Sequence, residues 1–175
     1  MDDAVRHAVL AGDVDAAVGM VEARAYDMLV NGDLSQLGRL LRLLPEEPVR
    51  QRFTLLVASA YLQMYTSRFD EAHQSVQRIH AQRDQLDRRQ CYTAALLEAG
   101  LAMQQDDIDT VLAMVPALRE IPPQADDFSW ICRANILGLA FVHRGEYDQA
   151  RALSNTPAYA MPRRAAGCWA SASAR

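Results

Sequence analysis

The amino-acid sequence predicts an all-α protein in which pairs of helices stack into a right-handed α-solenoid. Apolar residues recur at three- and four-residue spacing along nearly all of the 175-residue chain, which is the period of an amphipathic helix. No run of alternating β-branched residues indicates a strand. A short word also recurs, and its last three intervals are 35, 39 and 39 residues, a period typical of stacked helix pairs.

The recurring words are "LAGDVDAA", "VNGDLSQL", "YTSRFDEA", "QQDDIDTV" and "HRGEYDQA", and their apolar residues are Val14, Leu34, Phe69, Ile108 and Tyr147. We interpret each word as the turn between two helices. Glycine tolerates the left-handed conformation that ends a helix, which predicts this conformation for Gly12, Gly32 and Gly145. The acidic residue of a word favours the N-terminus of the next helix. The apolar residue then packs that second helix onto the first.

The individual helices follow from the same spacing. In "DVDAAVGMVEARAYDMLVNGD", Asp13 is the expected N-cap and Gly32 the expected stop. Further helices are predicted for "DLSQLGRLLRLLP", "FTLLVASAYLQMYTS", "FDEAHQSVQRIHAQRDQL", "RRQCYTAALLEAGLAMQQ", "DIDTVLAMVPALREI" and "DFSWICRANILGLAFVHRG". Breaks are expected at Pro45, Pro48, Asp87, Pro122 and Pro123, and a kink at Pro116. Close helix crossings are expected at Ala17, Ala72 and Ala150.

The stretch "NILGLAFVHRGEYDQARAL" resembles a tetratricopeptide repeat. The residues at that repeat's small and large packing positions are Asn135, Leu137, Gly138, Phe141, Gly145, Tyr147 and Ala150. The unit around Phe69 and Ala72 matches in part, with Ala60 where glycine is usual. The unit around Ile108 matches less well, because Val111 occupies the alanine position.

These observations predict three regions. Residues 1–50 are expected to form an N-terminal helical cap, and residues 51–155 about three tetratricopeptide-like repeats, the last of them incomplete. Helical periodicity stops before "TPAYAMPRRAAGCWASASAR", so residues 156–175 are expected to be an irregular tail. A truncated or altered reading frame and a genuine biological tail both explain this composition. An unfinished last repeat also leaves apolar surface that favours a homodimer.

A longer stretch resembles the helical region of MalT-like, LuxR-family bacterial transcription regulators. The resemblance covers about the first 155 residues and is clearest in "NGDLSQLGRLLRLLPEE" and "SRFDEA". It implies repeats that sense an inducer or a regulatory protein, between a nucleotide-binding switch region and a C-terminal helix-turn-helix. This chain departs from the whole family, because it has neither a GxxxxGK[ST] loop nor a recognisable DNA-reading module.

Charge and hydropathy narrow the class of protein. The formal net charge of −4 gives no positive field to attract nucleic acid or an anionic membrane surface. The sequence predicts no membrane span, and its start lacks the basic end and apolar centre of a signal peptide. We therefore expect a cytoplasmic protein that makes no direct nucleic-acid contact.

Several residues suggest metal chemistry, but each has a simpler interpretation. His73 and His80 lie seven apart, too far for the usual i, i+4 metal pair. Asp106, Asp107 and Asp109 lack the glycine and the final glutamate of a calcium loop, so helix capping explains them better. We predict no metal and no cofactor.

The cysteines do not indicate catalysis either. Cys91, Cys132 and Cys168 are far apart and odd in number, which favours reduced thiols. Cys132 and His143 lie eleven residues apart on one predicted helix, about 16 Å, and cannot form a nucleophile–base pair. The sequence therefore predicts a non-enzyme.

The tetratricopeptide resemblance implies a concave face made of the first helix of each pair. Its candidate binding residues are Thr54, Val57, Tyr61, Met64, Tyr65, Thr93, Leu96, Met103, Gln104, Asn135, Leu139 and His143. Mixed Met, Tyr and Leu suit a groove for a protein or a small effector, although several of these side chains could instead pack against neighbouring helices. The first hypothesis is a non-catalytic sensor or scaffold segment of a MalT-like regulator. The alternatives are a free-standing tetratricopeptide adaptor and a non-functional remnant.

Overall fold

A computed structural model describes residues 1–123 and 125–154 of the chain, and every regular element in that part is helical. The all-α prediction is therefore confirmed there. The described residues form the α-helices α1 (Asp2–Leu10), α2 (Val14–Asn31), α3 (Leu34–Leu43), α4 (Glu46–Gln51), α5 (Phe53–Tyr65), α6 (Phe69–Ala81), α7 (Arg88–Gln104), α8 (Ile108–Arg119), α9 (Asp127–His143) and α10 (Tyr147–Ser154). A 3-10 helix at Arg83–Gln85 separates α6 from α7. The predicted tail, residues 156–175, lies outside the described residues.

The helices form two compact units, and the boundary falls in the last turn of α6. The described part of the first unit is Met1–Ile79, and the second unit begins at His80. In the first unit α2 packs against α1, α3 and α5, and α4 packs against α5. In the second unit α7 pairs with α8, α9 pairs with α10, and α9 also contacts both α7 and α8. Fully buried apolar side chains occur in both units, among them Val21 and Leu55 in the first and Val111 and Leu118 in the second.

The five recurring words all fold into one type of turn. Gly12, Gly32 and Gly145 have φ angles of 79°, 75° and 73°, as their type predicts. Ser67 and Asp106 occupy the equivalent positions of the other two words, with φ angles of 59° and 57°. In every word the next residue donates its backbone N–H to the carbonyl five residues earlier, at 2.8–3.0 Å. This hydrogen bond defines a Schellman motif, so the described part of the chain contains five copies of one helix-ending turn.

Each turn also begins the following helix, because α2, α3, α6, α8 and α10 all start at the apolar residue of a word. The residue before it is the N-cap. Asp13 accepts a hydrogen bond from the Ala16 N–H at 3.1 Å, and Asp107 accepts one from the Thr110 N–H at 3.1 Å. Asp33 makes no such side-chain bond within the described residues. The carboxylates therefore cap two of these helices directly.

The position three residues after the apolar residue is buried in four of the five words. Ala17 and Ala72 are fully buried, as predicted, whereas Ala150 is half-buried. Leu37 and Val111 are also fully buried at this position. An apolar side chain therefore occupies this position in every word, and in two of the words it is a branched one.

The prolines of the described residues lie before, inside and after helices. Pro45 precedes α4, but the break expected at Pro48 is wrong, because Pro48 is the third residue of α4. A proline in the first turn removes an N–H that has no helical partner in any case. Pro116 lies inside α8. Asp87 begins α7 through a capping box, since its side chain accepts the Gln90 N–H at 2.7 Å and its own N–H bonds the Gln90 side chain at 3.0 Å.

Candidate functional site

Five of the twelve residues proposed for a binding face lie in the interior. Val57, Tyr61, Met64, Thr93 and Leu96 are each at most 7% exposed. They belong to α5 and α7. In both helices, buried residues occupy most of the helix surface, because other helices pack around them. These five side chains stabilise the core, and a partner cannot reach them in the folded chain.

Two of the accessible candidates lie in the first unit and five in the second. Thr54 and Tyr65 are half-buried on α5 of the first unit. In the second unit Met103 and Gln104 are half-buried at the end of α7, Asn135 and Leu139 are half-buried on α9, and His143 is exposed at the end of α9. We call the five residues of the second unit the α7–α9 surface.

The geometry of the second unit brings the C-terminal ends of α7 and α9 to the same end of the unit. Arg89, near the start of α7, donates to Asp126, the N-cap of α9, at 3.1 Å. Both helices have 17 residues and they pack against each other, so they run in parallel. Their C-terminal ends, with Met103 and His143, therefore lie at the same end of the unit. Asn135, Leu139 and His143 share one helical face because they are spaced by four residues.

A cluster of hydrogen bonds links α8 to both of these helices. The Arg133 guanidinium donates to the carbonyls of Leu118 and Arg119 at 2.8 and 2.9 Å. The Tyr92 hydroxyl donates to the same Leu118 carbonyl at 3.3 Å. Burial raises the pKa of Tyr92 to about 12, so this hydroxyl remains a neutral donor. The last carbonyls of α8, which lack helical partners, are thus bonded by side chains from α7 and α9.

The residues considered for metal chemistry are dispersed. The His80 Nε2 atom lies 3.2 Å from a carboxylate oxygen of Glu98, and His73 lies on α6. Among the described residues, no group of three or more His, Cys, Asp or Glu side chains is placed to hold a metal ion. The hydrogen bonds from Thr110 lower the pKa of Asp107, as expected of a helix cap.

The thiols lie where the sequence places them. Cys91 and Cys132 are free cysteines on α7 and α9, half-buried and buried respectively. Cys168 lies outside the described residues. Cys132 is 1% exposed, whereas His143 ends the same helix in solvent. None of the described helices has the length and apolar character needed to cross a membrane.

The second unit also contains a cavity of about 500 Å³ that the sequence pattern does not predict. It lies at the start of α7 and the end of α8, away from the α7–α9 surface, and Arg83, Arg88 and Arg119 contribute to its lining. Its residues come from helix ends and a connecting segment. They follow no repeat period, so residue spacing gives no signal for them.

Comparisons of the chain with protein-family models, with curated proteins and with solved structures found no match.

Proposed function

We propose that the chain is a non-catalytic binding segment built as a right-handed α-solenoid of tetratricopeptide-like helix pairs. The observation that carries this proposal is the fivefold recurrence of one Schellman turn, each copy followed by a helix that begins at the word's apolar residue. The packing of α9 on both α7 and α8 supports it, because a helix that starts a new pair in a solenoid contacts both helices of the preceding pair.

In this proposal the second unit binds a protein partner through the α7–α9 surface. The surface combines the flexible thioether of Met103, the aliphatic Leu139 and the polar groups of Gln104, Asn135 and His143. A methionine and a leucine adapt their shape to an apolar segment of a partner, and the polar groups fix its orientation. Its residues come from the first helices of two consecutive pairs, which is the face that tetratricopeptide repeats use.

The biological setting that we propose is regulation, in a MalT-like LuxR-type transcription regulator, on the basis of "NGDLSQLGRLLRLLPEE" and "SRFDEA". Reading the genomic DNA on both sides of the coding segment tests this setting. An ATPase module upstream and a helix-turn-helix module downstream would support it. A self-contained gene without either module would instead favour the free-standing adaptor.

Site-specific photo-crosslinking in the native host tests the binding face. A benzoylphenylalanine at Leu139 is expected to crosslink a partner, whereas the same residue at the exposed Ala113 on α8 is the matched control and should not. The partner identified at position 139 is then purified and titrated against Leu139→Ser, which should weaken binding about tenfold because a buried apolar contact is lost. Equal crosslinking at both positions, or unchanged affinity of a folded Leu139→Ser variant, would refute the proposed face.

A further inference from the structure

The proposed function leaves the cavity at the start of α7 unexplained. Its volume of about 500 Å³ lies within the range of small-molecule sites. The 3-10 helix, the first turns of α7, the last turn of α8 and the segment after α8 all contribute to its wall. Every lining residue belongs to the second unit.

The charged groups at this cavity are mainly positive. Three arginines, Arg83, Arg88 and Arg119, line it together with one carboxylate, Glu120. Arg88 and Glu120 form an exposed ion pair at 3.7 Å. Within residues 1–123 and 125–154, Arg83 and Arg119 form no ion pair with a carboxylate. Two guanidinium groups are therefore available to an anion.

The nearby carbonyl oxygens do not cancel this positive charge. The C-terminal end of a helix is normally negative, and α8 ends at the cavity. However, the carbonyls of Leu118 and Arg119 accept hydrogen bonds from the Arg133 guanidinium, and Leu118 also accepts one from the Tyr92 hydroxyl. The cation of Arg133 thus offsets the negative end of α8.

The remaining wall is apolar. Ala95 comes from α7, Pro116 and Ala117 come from α8, and the buried Pro122 follows α8. The ring of Tyr92 adds a neutral aromatic surface, because its hydroxyl is bonded to a backbone carbonyl. A ligand that fills this space therefore needs an apolar body beside its charge.

We infer that this cavity binds a small organic dianion, with an apolar body against Tyr92 and Pro122 and with its anionic groups on Arg83 and Arg119. A phosphate monoester and an aromatic dicarboxylate share this chemistry, and the planar guanidinium group pairs well with both. The site lies apart from the α7–α9 surface. Binding of a small molecule in this cavity therefore does not require the proposed protein partner.

Isothermal titration calorimetry of the whole chain with two probes tests this inference. Phenyl phosphate and phthalate represent the two head groups, while phenol and inorganic phosphate represent the apolar body and the charge alone. We expect at least one dianion to bind, and both partial probes to bind at least about tenfold more weakly. No binding of either dianion at millimolar concentration would overturn the inference.

Paired charge variants locate the binding. Arg83→Gln with Arg119→Gln is expected to weaken the bound probe at least about tenfold, because two charge-assisted contacts are lost. The control variant, Arg24→Gln with Arg144→Gln, removes the same charge from exposed positions outside the cavity and should leave affinity unchanged. Equal weakening in both variants would show unspecific attraction to positive charge and would refute the site.

Cys91 gives a second measurement, since its half-buried thiol lines the cavity. Alkylation by iodoacetamide, followed by peptide mass spectrometry, should slow about tenfold at a probe concentration ten times Kd. At that concentration the slowing should fall to about twofold or less in the Arg83→Gln, Arg119→Gln variant, because its Kd is expected to be at least about tenfold higher. A bound probe that leaves the alkylation rate of Cys91 unchanged would place the ligand elsewhere.

Discussion

Replacing two exposed glycines by alanine, one at a time, should change stability in opposite directions. Gly12 lies in the turn between α1 and α2 with a φ angle of 79°, whereas Gly19 lies seven residues further on inside α2. At both positions an added Cβ would meet no atom within 4 Å in the described part of the chain. The two substitutions therefore add the same methyl group without a clash, and only the backbone conformation differs.

The expected magnitudes follow from that conformation. An alanine in the left-handed conformation lowers the free energy of unfolding by about 1–2 kcal/mol. The smaller conformational entropy of the unfolded alanine chain raises it by about 0.4–1 kcal/mol. Gly12→Ala should therefore destabilise the protein by about 0.5–1 kcal/mol. Gly19→Ala should stabilise it by a similar amount, about 0.5–1 kcal/mol, because alanine is the better residue in a helix interior. The two variants should differ by about 1–2 kcal/mol.

Urea denaturation followed by far-ultraviolet circular dichroism measures both changes in the free energy of unfolding. The dependence on urea concentration should remain the same in both variants, since neither substitution changes the buried surface. Changes of the same sign in the two variants would refute the reasoning. Stabilisation by Gly12→Ala would show that the left-handed turn carries no strain for a side chain.

Three further predictions concern the other turns. Ser67→Gly and Asp106→Gly should each stabilise the chain by about 0.5–1 kcal/mol in urea denaturation, because glycine relieves the strain of a positive φ angle. Val111→Ala should cost about 2 kcal/mol in the same assay, since a fully buried side chain loses two methyl groups. For Asp107, a carboxyl titration by nuclear magnetic resonance should give a pKa below the usual aspartate range. Because that pKa is lowered by Thr110, the stability gained from the cap is present above the unfolded pKa and is lost as pH falls through the folded pKa. Asp107→Ala should remove this pH dependence, and an unchanged profile in that variant would contradict the assignment.

Sequence spacing predicted most helices correctly. It also predicted the three glycine turns, because glycine is the residue that most readily adopts a left-handed backbone. It did not reveal that Ser67 and Asp106 adopt the same backbone conformation. A side chain there carries strain of about 1–2 kcal/mol, which the hydrogen bonds of the Schellman motif and the packing of the next helix must offset. Whether these contacts offset the strain depends on the tertiary structure, so the residue type alone does not predict it.

The candidate binding face was less predictable than the turns. The repeat pattern shows which helix side a residue such as Leu96 occupies, but the neighbouring helices decide whether that side is open. In α5 and α7 the buried residues cover most of the helix, so Tyr61 and Leu96 became core residues. The cavity escaped prediction for a different reason, because Arg83 and Arg119 are 36 positions apart and lie outside the repeated words.

In each turn one residue is hydrogen-bonded to both helices, and this should couple the exchange of their amide protons with solvent. The Asp13 N–H donates to the Ala8 carbonyl at the end of α1. The Asp13 carbonyl accepts the Ala17 N–H, which is the first hydrogen bond of α2. The same two bonds occur in all five turns. Fraying at the end of the earlier helix therefore removes an anchor from the start of the later one. Amide protons on the two sides of a turn should exchange together, so the smallest opening event at each word involves two helices.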